Sequence, residues 1–302
     1  MTRKTGRMSE ETFDDFLAEQ GLLASAEERA LKEIIADRLF GSTNTRKLFL
    51  ALVCFLGILL CASKCSALEV LHIKPSTLRL SGEIVIGDLQ KIQTADQNIE
   101  ELELNLSGGD VREAVRIGRY IHQKRFRLTV VGICASGCAQ YLLAASKSVY
   151  IRHEALVFFH HYPFVLFEQA KRLGFQISET EEDAIAAEKS FLQDFNVPED
   201  IGYQAFIELA PKCIEQRLYN GQIFVRYDSP FRGWIPQKEY LNSVGIKFQG
   251  YWPETMESLV LAFKARFSDS KTNFSIRFSF QKDRIPRDEA LRILATIPRC
   301  QS

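Results

Sequence analysis

From about Leu78 onward the chain alternates short apolar strands with helices, and this pattern admits few folds. A helix between two strands returns the chain to begin the next strand in the same direction. The expected product is a mainly parallel sheet covered by helices on both faces. Residues 77–86 read as a strand with Gly82 inside it, followed by a helix opening at Gly87-Asp88. Residues 101–106 alternate as a strand and run into Ser107-Gly108-Gly109. Asp110 then opens a helix to residue 123, with Val111, Ala114, Val115, Ile117, Gly118 and Ile121 on its inner side. A strand over 126–133, a turn at 134–137 and a helix over 137–148 come next, and a buried strand over 156–159 ends in His160-His161. One long helical region covers 164–195, and another starts at Pro198. After Tyr251 the pattern predicts a helix over 254–267, a strand over 273–281 and a helix over 287–296.

The sharpest break in composition lies between Lys47 and Lys64, where sixteen residues, LFLALVCFLGILLCAS, carry no charge. That length is short for a bilayer span, which takes about 20 apolar residues, and ample for the apolar part of an export signal. If Lys64 snorkels, the stretch reaches towards Leu71 and is long enough to span. Cys65-Ser66-Ala67 resembles a small-residue cleavage site, whereas the charged leader before it argues for retention; a buried core helix is the bland alternative. Arg46 and Lys47 on the N-terminal flank put the leader on the cytoplasmic side and the remainder outside, in the periplasm or its equivalent. The division is a leader with an amphipathic helix (1–46), a hydrophobic signal-anchor (47–68), an α/β domain (69–250) and a C-terminal embellishment (251–302).

Lys plus Arg and Asp plus Glu balance at 38 each, so the chain lacks the basic footprint of a nucleic-acid binder. Cys65, Cys134, Cys138, Cys213 and Cys300 would meet an oxidising compartment, and their spacing alone does not decide which of them pair.

Three short segments could carry chemistry. At 107–109 the paired glycines let backbone N–H groups approach a ligand, while Asp110 reads as a helix cap with Glu113 completing a capping box. In Cys134-Ala135-Ser136-Gly137-Cys138-Ala139, a buried strand delivers Ser136 to a helix start. There the helix dipole favours developing negative charge and the Gly137 N–H can donate. A nucleophile beside such a donor is what acyl transfer requires, although Ser is also a common helix cap. His160 and His161 leave an apolar strand, where an imidazole can act as general base or simply pack. As strand neighbours they would point to opposite faces, which argues against a metal site. No cofactor is called for.

These segments, in this order, resemble the Clp protease proteolytic subunit and its ClpP-like relatives in the crotonase superfamily. The likeness is greatest to exported or membrane-anchored members with a CASxCA motif, and covers about 78–248. Ser107-Gly108-Gly109 is similar to the family's S-P-G-G loop without its proline, 134–139 to the nucleophile segment, and 155–160 to the strand ending in the catalytic histidine. The resemblance implies repeated ββα units, Ser136 as nucleophile, His160 as base with His161 its rival, and oxyanion donors at Gly108 or Gly109 and at Gly137. Trp234-Ile235-Pro236 and 240–246 look like the region carrying the family's acid. The expected acid position holds Arg232, and Asp228 is the nearest acid, so either Asp228 reaches in as the third member, another group substitutes, or the site works as a dyad. A peptide or protein substrate and a homo-oligomer follow from the resemblance. The competing readings are a scaffold that kept the fold and lost the acid, and acyl-CoA chemistry of the crotonase type. An extracytoplasmic location and the Ser–His pair both count against the latter.

Overall fold

The computed structural model describes residues 67–219, 222–231, 233–266, 277–278 and 284–301. The leader and all but the end of the hydrophobic segment lie outside these residues, as do Arg232 and most of the strand expected over 273–281.

Strands β1 (Glu69–Lys74), β2 (Thr77–Ile84), β3 (Glu101–Gly109), β4 (Arg127–Ala135), β5 (Val149–Ile151) and β10 (Gln249–Gly250) lie side by side in one sheet, with β6 (Leu156–Phe158) also paired to β4. Every pairing is parallel except β1 with β2. The class is α/β with a mainly parallel sheet. Helices α1 (Asp88–Ala95) and α2 (Val111–Lys124) make the crossovers between β2, β3 and β4. The predicted inner face of α2 is buried at Ala114, Val115, Ile117, Gly118 and Ile121. β2, β3 and β4 alternate: Leu78, Leu80, Leu102, Leu104, Leu128 and Val130 are buried in one continuous core, while Arg79, Glu101, Glu103, Asn105 and Thr129 fall on the opposite face. There Glu103 pairs with the half-exposed Arg79 and Arg152, so among the described residues the expected helical cover on both faces is not found.

Three features depart from the sequence pattern. β1 is a largely exposed edge strand, so burial never demanded an apolar alternation from it. The helical region 164–195 is two helices, α4 (Pro163–Arg172) and α5 (Glu179–Asp194). Gly174, at φ 76, ends the first, and Ser178 with Glu181 forms the capping box that opens the second. After α6 (Asp200–Glu208) comes an antiparallel hairpin of β7 (Cys213–Tyr219) and β8 (Gln222–Asp228), which the strand–helix reading left out.

Beyond β9 (Trp234–Ile235), α7 (Lys238–Ser243) and α8 (Met256–Arg266), the C-terminal segment is stitched to the domain. Cys213 and Cys300 form a disulfide, and Ile214 exchanges backbone hydrogen bonds with Pro298 and Cys300. Arg172 donates to the carbonyls of Leu294 and Ile297, at the end of α9 (Arg287–Ala295). No helix among the described residues is long and apolar enough to cross a membrane.

Candidate active site

β4 serves two partners in succession. Leu128 to Val130 pair with β5, and Ile133 to Ala135 with β6. Between these halves β4 bulges: Leu104 of β3 faces Val130, yet Leu106 faces Cys134, so β4 spends two extra residues there. The Asn105 side chain fills the gap, its Oδ1 accepting from Ile133 N at 2.9 Å. Gly132 is required opposite it, since a Cβ there would stand 2.1 Å from that oxygen. Parallel pairing brings the C-terminal ends of β3, β4 and β6 to one edge, where open α/β sheets bind their ligands.

Ser136 is the first residue past β4. Its N–H donates to the Phe158 carbonyl at 3.3 Å, and its carbonyl accepts from Gln140 N at 2.8 Å. Its φ is 50, left-handed, the conformation of a strand that turns sharply into a helix and leaves a side chain exposed at the corner. The helix that follows is shorter than expected: a π-helical stretch, Cys138–Leu142, then one turn of α3 (Leu143–Ala145). A Cys134–Cys138 disulfide spans the corner from β4 to the helix. Because a left-handed L-residue costs roughly 1–2 kcal/mol, Ser136→Gly is expected to be about 1 kcal/mol more stable than Ser136→Ala in chemical denaturation.

The two glycines of the β3 turn have separate tasks. Gly108, at φ 103, abuts the corner: a Cβ on it would lie 2.7 Å from Ser136 Cβ and 3.2 Å from Gly137 N. Gly109, at φ 132, abuts β2 instead, where a Cβ would lie 2.0 Å from the Ile84 carbonyl. Gly108 and Gly137 are therefore the pair next to Ser136. Asp110 caps α2 as expected, accepting from Glu113 N at 2.9 Å. The capping box does not close. Glu113 is buried and accepts from Leu89 N at 2.7 Å, while Asp110 N donates to the Ile84 carbonyl.

His160 and His161 follow β6 on a segment held by reciprocal bonds between Phe159 and Trp234 at 2.8 Å. β6 stops at Phe158, so strand alternation no longer governs the pair. Contrary to the opposite-face expectation, the two rings lie 4.6 Å apart. One hydroxyl joins them: Tyr227 Oη is 3.3 Å from His160 Nε2 and 3.0 Å from His161 Nδ1. Burial, followed by the neighbouring His160, holds the His161 imidazole well below its ordinary pKa, which keeps it neutral at pH 7. Neither ring is hydrogen-bonded to the Ser136 hydroxyl among the described residues.

Asp228, the candidate acid, is not brought to the histidines. It follows Tyr227 on β8 and so faces the other way; its carboxylate is exposed and sits 3.3 Å from Lys212 Nζ. Tyr227 is the β8 residue that reaches the two histidines. The signal for it was the alternation of Val225 and Tyr227 against Phe224 and Asp228, legible only once 222–228 is read as a strand. Among the described residues no three His, Cys, Asp or Glu side chains converge as metal ligands.

A buried carboxyl supports the histidine segment. Glu188 on α5 accepts from Tyr141 Oη and, at 2.8 Å, from Phe164 N at the start of α4. Burial raises its pKa from 4.5 to about 8. The folded chain thus holds a proton that the unfolded chain releases above pH 4.5. This stabilisation is complete at acid pH and drains away as pH rises to about 8. Urea titrations should show Glu188→Gln lacking that slope, so that wild type loses a few kcal/mol relative to the variant across the window.

No family model and no curated protein matches the chain. Solved structures that overlay on it include an enoyl-CoA hydratase from Bacillus anthracis, 12% identical, covering 42% of this chain and 67% of that one at a TM-score of 0.24. An enoyl-CoA hydratase from Shewanella pealeana is 12% identical and covers 43% of this chain and 62% of its own, also at 0.24. An enoyl-CoA hydratase/isomerase from Marinobacter aquaeolei is 14% identical and covers 66% of this chain and 74% of its own at 0.29. The chain thus spans between 62% and 74% of these proteins' lengths. Overlaps this loose decide nothing about activity.

Proposed function

We propose that the chain is a ClpP-like serine hydrolase acting on peptide bonds, with Ser136 as nucleophile. The observation that carries this reading is the left-handed corner at Ser136, packed against Gly108 on one side and one strand away from a histidine pair on the other. In the proposed reaction Ser136 Oγ attacks the scissile carbonyl while a neutral imidazole takes the hydroxyl proton. The carbonyl oxygen becomes an oxyanion, held by backbone N–H groups at Gly108 and Gly137. Collapse breaks the C–N bond, the imidazolium gives its proton to the leaving amine, and water repeats the sequence on the acyl-serine. Tyr227 orients the rings in place of a carboxylate.

A fluorophosphonate probe should label the protein, and Ser136→Ala should lose all of the label. His160→Asn and His161→Asn, made separately, identify the base; labelling that survives Ser136→Ala refutes the nucleophile. Tyr227→Phe removes a neutral hydrogen bond of about 1 kcal/mol, so the labelling rate should fall roughly five- to tenfold.

The absence of Asp228 from the histidines favours a second reading, a scaffold that kept the fold without the chemistry. A folded protein unreactive towards acyl probes at every pH would establish it. For location, the proposal is a membrane anchor at residues 48–68 with the domain outside the cytoplasm. The Cys134–Cys138 and Cys213–Cys300 disulfides support an oxidising compartment. Protease added to intact cells or spheroplasts should digest the domain.

A further inference from the structure

Gln140 lies one helical turn past Ser136 and is 1% exposed. A carboxamide buried this deeply costs free energy unless it is bonded. It is bonded on both sides of the candidate site. Its backbone N–H donates to the Ser136 carbonyl at 2.8 Å. Its Nε2 donates to the carbonyls of His160 at 3.3 Å and His161 at 3.0 Å. A carboxamide NH2 carries two hydrogens and can serve two acceptors at once. Those carbonyls lie past the end of β6, beyond its ladder, and so need a partner from elsewhere.

We propose that Gln140 is a positioning residue: it ties the Ser136 corner to the backbone that bears both imidazoles and so sets the separation of nucleophile and base. This rests on the hydrolase reading, because the separation matters only if a proton crosses it. The residue touches no reacting atom and acts through the histidines. Its neighbour reinforces the same join, since Tyr141 bonds Glu188, which in turn caps α4 immediately after the histidine segment.

The test uses the full chain and two variants, Gln140→Met and Gln140→Glu. Gln140→Met keeps length and bulk and loses both donors. Its maximal inactivation rate with fluorophosphonate should fall about 10- to 100-fold, the penalty for a misplaced reacting pair, with the probe's half-saturating concentration unchanged. Gln140→Glu keeps one donor while protonated and turns an anion towards two carbonyls once ionised; its deficit should deepen as pH rises and shrink at acid pH. The imidazole NMR titrations form the independent arm. With the clamp gone, His161 should titrate closer to an ordinary histidine in Gln140→Met. A wild-type rate in Gln140→Met, or a loss matched by the fraction unfolded, overturns the proposal. If wild type itself never labels, the hydrolase reading fails, and the titrations still decide the clamp: shifted curves support it and unchanged curves overturn it.

Discussion

Gly109→Ala is expected to prevent stable folding, with a loss of about 4 kcal/mol or more. At φ 132 an L-side chain is already strained, and the added Cβ would stand 2.0 Å from the Ile84 carbonyl oxygen. That oxygen belongs to the backbone of β2 and accepts from Asp110 N, so it cannot swing aside as a side-chain tip would. Relief requires β2 and β3 to part at the end of their ladder, in the middle of the sheet. Gly108→Ala, at φ 103, meets Ser136 Cβ at 2.7 Å and the Ala135 carbonyl oxygen at 2.9 Å. These contacts are less severe than the 2.0 Å at Gly109, so it should cost less, about 3 kcal/mol, as the corner is forced to shift. It should nevertheless abolish labelling, since that shift displaces the nucleophile. Circular dichroism and denaturation of the two variants separate these outcomes. A Gly109→Ala protein with wild-type stability would show that β2 and β3 do not meet at this position.

Removing the Cys213–Cys300 disulfide should cost about 4–5 kcal/mol by loop entropy, because it closes 87 residues of chain. The loop it closes contains β8 with Tyr227, β9 with Trp234, and α7. The double Cys→Ser variant should therefore also label more slowly, as the hairpin that carries the hydroxyl between the histidines loosens. The Cys134–Cys138 disulfide closes only a short loop, for which the same model gives about 2 kcal/mol. Denaturation of the two double variants should rank them in that order. Equal losses would mean that the C-terminal segment is held by Arg172 and the Ile214 backbone bonds rather than by the covalent link.

Much of the candidate site is legible in the sequence. Gly108, Ser136 and the two histidines stand at strand ends, and strand ends in parallel sheets gather at one edge. Tyr227 was not legible in the same way. Its strand lies in an antiparallel hairpin outside the main sheet, and Asp228 beside it offered a more familiar residue type at nearly the right place. Only the twofold alternation of a strand separates them: Tyr227 turns inward and Asp228 outward to Lys212. Gln140 read as one more residue of a buried helix, since nothing local announces two carbonyls waiting on a distant segment.

The sequence by itself determined the α/β class, the crossover helices, the cap at Asp110 and the corner that presents Ser136. Each depends on the period of apolar residues or on a local backbone preference. Tertiary structure alone decided which cysteines pair, which acid or hydroxyl meets the histidines, and how β4 divides between β5 and β6. Those outcomes turn on distances between segments far apart in the chain. A periodic pattern records which way a side chain faces and leaves open what it will meet there.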